Sequence, residues 1–191
     1  MAAVELSLAH QSSGEGHQVL DGFQAATRDI ARDTSYRDVS DSATILRQKA
    51  STATSSAERS GDYDSRAVAS LGGAISALNQ AIPQLEPEDR RAALAAREQL
   101  SQADELWWAD GALGTALAAI NGGAVPYIEA AQADAPGQDV SFTAGEIHGA
   151  LNESLGYLVE ADRIQGQSLQ EVHSAVETLR QLSERDSRSK A

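Results

Sequence analysis

Four histidines, at positions 10, 17, 148 and 173, are the side chains best suited to metal or acid–base chemistry in this 191-residue chain. Two of them follow a glutamate at a spacing of two: Glu146 precedes His148, and Glu171 precedes His173. A carboxylate-bridged di-metal bundle needs Glu-x-x-His pairs on facing helices. At a spacing of two, helical side chains point about 200° apart, so neither pair can present both groups to one ion. What remains for a helical enzyme is a single contact between His148 and His173 near some acid; the plainer reading is two polar helix faces.

Other chemistries find less. The chain has no cysteine, which removes disulfides, thiolate ligands and thiol nucleophiles together. It has no Gly-x-Ser-x-Gly elbow and no Walker phosphate loop, and the glycines of "LGGA" (71–74) and "INGG" (120–123) lack the spacing of a dinucleotide loop. The expectation is a protein that is not an enzyme, with no cofactor, no metal and no small-molecule ligand.

The net charge is −13, from 28 acidic against 15 basic residues, and no basic stripe interrupts it, so nucleic acid is not expected as a partner. A basic protein partner, or a second copy of the chain, fits better. Thirty-five alanines against two Trp, four Tyr and two Phe make an ordinary apolar share out of small side chains, which let helices approach closely. The arginine, alanine and glycine bias suggests a high-GC bacterial or phage source. The opening "MAAVELSLAHQSSGEG" has neither a basic start nor a continuous apolar run, so the expected compartment is the cytoplasm, with export without a Sec signal as the alternative.

The elements that would position any site read as helices throughout. Apolar residues recur at three- and four-residue steps over about 16–33 (Leu20, Phe23, Ala26, Ile30) and 41–59 (Leu46, Ala50, Ala53, Ala57). They do so again from Leu71 to Ile82, along Ala93, Ala96, Leu100, Ala103 and Trp107, and from Leu113 to Ile120. Thr143 and Glu146 form a capping box for a sixth helix carrying Ile147, Leu151, Leu155 and Leu158, and a seventh covers about 164–182. "SGDYDS" (60–65) reads as a turn, with Gly61 at a C-cap and Asp62 or Asp64 capping the next helix.

One phrase occurs twice. "LGGAISALNQAIPQLE" (71–86) returns as "LGTALAAINGGAVPYIE" (113–129), eight of sixteen aligned positions being identical once one extra glycine is allowed in the second copy. The phrase reads as a hairpin corner, in which a helix ends in Asn, Ala, an apolar residue and Pro and the next packs back on it. The expected architecture is all-α, with six to seven helices in tandem antiparallel hairpins, as a bundle or a short solenoid. The hairpins would cover about 16–60, 64–108 and 110–163, followed by helix 164–182, with residues 1–15 and 183–191 as loosely held ends.

Trp107 and Trp108 concentrate both tryptophans of the chain, and adjacent helical positions point about 100° apart, so both are buried only where two neighbours flank the junction. The plainer reading has Trp107 capping the core and Trp108 covering a helix gap; the functional one has Trp108 exposed as a binding anchor. With Tyr127 they are the candidate partner-binding residues. Residues 111–128 are uncharged over eighteen positions, the lower limit of a membrane span, and carry the alternative of a membrane-inserting, pore-forming helical protein. Paired helices with Trp107 or Trp108 near Gly111 also resemble, over this short stretch, the WXG-type substrates of the type VII secretion route. The chain departs from that pattern in having no Trp-x-Gly, and its tyrosines Tyr36, Tyr63, Tyr127 and Tyr157 are followed four places on by Ser40, Ala67, Ala131 and Ala161. The leading expectation is a non-enzymatic helical interaction or assembly protein, acting as scaffold or adaptor.

Overall fold

Alanine and leucine at helical intervals give each segment a narrow apolar stripe, and every stripe is realised as helix. A computed structural model describes residues 1–32, 36–126, 128–129 and 141–189, and for 23–32, 36–46, 105, 107, 141–145, 148 and 186–189 the backbone alone. The helices are α1 (Ala2–Arg32), α2 (Tyr36–Ala81), α3 (Pro87–Ala103), α4 (Trp107–Ala119) and α5 (Ser141–Ser189). A 3₁₀ turn at Ile82–Gln84, with Pro83 in its first turn and Leu85 extended behind it, ends α2 and turns the chain. A second 3₁₀ turn, Asp104–Leu106, joins α3 to α4 end to end, and a π turn, Ile120–Ala124, carries the helix on to residue 129. The described chain is thus four rods, the third being α3 and α4 in line.

α1 lies against α2 and α5, and the third rod lies against the same two helices from the other side. Contacts fix the directions. Ser60 reaches the carbonyl of Ala9 and Arg59 pairs with Glu15, so α2 runs antiparallel to α1. Ser13 reaches the carbonyl of Leu158 and His10 meets Asp162, so α5 runs antiparallel to α1. Arg97 bonds Asn79 and Arg47 pairs with Glu129, which sets the third rod against α2 in the same sense. This is an up-down-up-down four-helix bundle.

The core is built of small residues at the crossings. Ala50, Ala53, Ala57, Ala109, Ala116 and Ala124 are buried around Leu20, Leu113, Ile120, Leu151 and Leu158 in one cluster. Leu6, Leu71, Leu100, Leu106 and Val172 form a second cluster towards the Ile82–Gln84 corner. Because Ala2 and Ala3 pack at the level of Leu71 and Val172, the ends of α2 and α5 run on past the start of α1 with α3 as their neighbour.

All-α is what the sequence predicts, but six to seven short helices in tandem hairpins are not what forms. The boundaries expected near 60 and 163 fall inside helices, and the one near 108 lies beside the 3₁₀ turn Asp104–Leu106, which joins two helices without reversing the chain. Residues 60–65 continue α2 because Ser60 and Asp64 point inward and find partners on other rods. Residues 2–15, expected to be loose, are the first half of α1, held by buried Leu6, Ala9 and Ser13, and 183–189 extend α5. The first copy of the repeated phrase does turn a corner at Pro83. The second does not: Val125 N–H bonds the carbonyl of Ile120, five residues back, and this wider turn absorbs the extra glycine and accommodates Pro126 without ending the rod.

Candidate functional site

An open groove of about 870 Å³ lies between α4 and α5. Trp108, Gly111 and Thr115 wall it on one side, and Tyr157, Ile164 and Ser168 on the other. Trp108 is 57% exposed, the second turn of α4 bringing glycine and alanine, not bulk, beside it. Tyr157 is exposed across the groove. On the rim Arg163 holds Glu160 with two parallel bonds, at 2.6 and 2.9 Å, and donates to Gln167 at 2.8 Å. The bonds from Arg163 keep the Glu160 carboxyl below the usual carboxylate range, so the rim carries a fixed, ionised pair.

Behind this groove sits a polar centre within the bundle. Ser60 and Asp64 of α2 and Gln165 of α5 are all buried. Gln165 Nε2 donates to Ser60 Oγ at 2.7 Å and to Asp64 Oδ2 at 3.0 Å, and Ser60 Oγ donates on to the Ala9 carbonyl of α1 at 2.9 Å. Burial pushes the Asp64 carboxyl up to about 7; the Gln165 bond opposes this, and the Asp110 carboxylate of α4 adds to it. The centre therefore ties three rods and faces a charge on the fourth.

A smaller hollow lies where His10 of α1 meets Asp162 of α5 through its Nδ1, at 3.0 Å from the carboxylate and 3.1 Å from the backbone carbonyl, with His17 nearby. Among the described residues no group of three or more His, Cys, Asp or Glu is placed to hold a metal ion.

Of the partner-binding residues singled out from sequence, Trp108 alone is described with its side chain. Trp108 stands in the groove. Trp107 opens α4, but its side chain lies outside the described residues, and so does Tyr127 altogether. The contact between His148 and His173 that a helical enzyme would have used does not form, because both stand on the single helix α5, 25 residues and about 38 Å apart along its axis; His173 is exposed. The stretch 111–128 spans parts of α4 and the π turn, and no helix among the described residues is long and apolar enough to cross a membrane. Sequence reading missed Tyr157 and the Ser60–Asp64–Gln165 centre. Tyr157 carries no local signal, and Ser60 and Asp64 sit in a run whose composition is that of a turn.

Compared with protein-family models, with curated proteins and with solved structures, the chain matches none.

Proposed function

We propose that this is a non-enzymatic interaction or assembly protein whose α4–α5 groove receives an apolar anchor from a basic protein partner. The observation that carries the reading is Trp108, a large apolar side chain more than half exposed on the wall of an open groove, with Tyr157 across from it. Exposed aromatics beside a concave surface are what partner anchors bind against, and such residues dominate binding energy where they occur. The net charge of −13 favours a partner of opposite sign through long-range attraction. The rim's Glu160 and Arg163 neutralise one another, which supports a binding role over one in proton transfer.

The test is substitution within the groove. Trp108→Ala and Tyr157→Ala are expected to leave the helical circular dichroism and the melting temperature near those of the wild type, since both positions are exposed. They are expected to weaken association with a partner retained from the native source by tenfold or more, as read by calorimetric titration. Unchanged affinity in both variants sinks the reading.

A further inference from the structure

At the polar centre a hydrogen-bond inventory comes up one donor short. Both Nε2 hydrogens of Gln165 are used, one on Ser60 and one on Asp64 Oδ2, and the Ser60 hydroxyl is used on Ala9. Two acceptors are left buried without a donor, Asp64 Oδ1 and Gln165 Oε1, one from each partner of the same hydrogen bond. A buried acceptor left unmade is costly, and a carboxylate left so is costlier. Protonating Asp64 supplies the missing donor, giving the paired arrangement of a carboxylic acid and a primary amide.

The surroundings favour that proton. Asp64 is 2% exposed. The charge that acts on it from the third rod is an acid, the exposed Asp110, and two further acids, half-buried Asp104 on the third rod and half-buried Glu5 on α1, each keep a carboxylate oxygen buried without a donor. Asp110 Oδ1 lies 3.7 Å from where a side chain on Gly61, one turn before Asp64, would begin. On α5 the next acid, Asp162, is engaged by His10, and on α2 itself Arg66 is turned out over the ring of Tyr63.

We infer that Asp64 is a proton-operated latch: carrying its proton it joins α2 to α5 through Gln165, and on losing it this junction loosens and the middle of the bundle opens more readily. The folded state holds this proton more tightly than the unfolded chain does, so its contribution to stability is full in acid and is lost as pH rises to neutrality. The latch is independent of any occupant of the groove.

Three measurements on the full chain test it. The carboxyl carbon resonance of Asp64 in the wild type is expected to titrate near neutrality; a midpoint near 4 overturns the inference. In denaturant unfolding between pH 5 and 7, the unfolding constant of the wild type, relative to that of Asp64→Asn, is expected to rise by up to tenfold per pH unit, because asparagine keeps the donor and cannot ionise. Parallel profiles for the two proteins overturn it. Amide exchange corrected for its intrinsic pH dependence is expected to quicken with pH in 57–67 and 161–169 of the wild type. A pH-independent opening free energy there overturns it, and Asp110→Asn, by removing the facing charge, is expected to shift the Asp64 midpoint downward.

Discussion

At Gly123 the third rod comes close against α5. A Cβ built there would stand 2.9 Å from the Ala150 Cβ, closer than packed carbons allow, so Gly123→Ala must push two rods apart. The glycines at 72 and 73 are exposed and meet nothing within 4 Å. There alanine only restores helix propensity. Urea unfolding is therefore expected to show Gly123→Ala destabilised by about 1–3 kcal/mol, and Gly72→Ala and Gly73→Ala stabilised by about 0.5–1 kcal/mol each. The glycine pairs at 72–73 and 122–123 look alike in the sequence, and the neighbour across the bundle is what sets Gly123 apart. The same holds for Ser60 and Asp64. Their types favour caps and turns as strongly as buried bonds, and what decides is Gln165, about a hundred residues later in the chain. For Trp108 the adjacent tryptophans leave two readings open, covering a helix gap or facing out, and its 57% exposure is decided by the small residues of α4 beside it.

At the level of elements, apolar spacing located the stripes well and the breaks poorly. Leu71, Ala93, Ala96, Leu100, Leu113, Ile120, Ile147, Leu151 and Leu158 are all buried as their periodicity suggests. Periodicity does not say whether a polar interval is a loop or the solvent face of a helix that continues, and long helices carry many such intervals. The π turn is where this matters most. It absorbs one residue, so that everything after it stands about 100° from where a regular helix of the same sequence would put it, and this leaves Ala124 and Ile128 buried. Deleting Gly122 removes the absorbed residue together with the wide turn, so a regular helix through this stretch keeps both side chains on the core face. The expected result is a melting temperature close to that of the wild type, read from a melting curve of the deletion variant. A large loss of stability would mean that the wide turn itself is needed for the packing.

For the molecule as a whole, the net charge of −13 sits on a narrow bundle, and half of the ion pairs among the described residues are local, as in Arg163–Glu160 and Arg180–Glu177. Exposed pairs of this kind add little, whereas the excess of acids repels itself along every rod. Salt is therefore expected to raise the melting temperature between 10 and 200 mM, as a Debye length shrinking from about 30 to about 7 Å screens that repulsion; a melting temperature that falls would place favourable pairs above repulsion. The rods also differ in length, and this has its own consequence. Beyond the level of Leu71 and Val172, where α1 has not yet begun, α2 and α5 project with α3 as a three-legged cantilever. Fraying at that tip gives up fewer neighbours than opening at mid-bundle, so the protein can breathe at one pole while its waist stays shut.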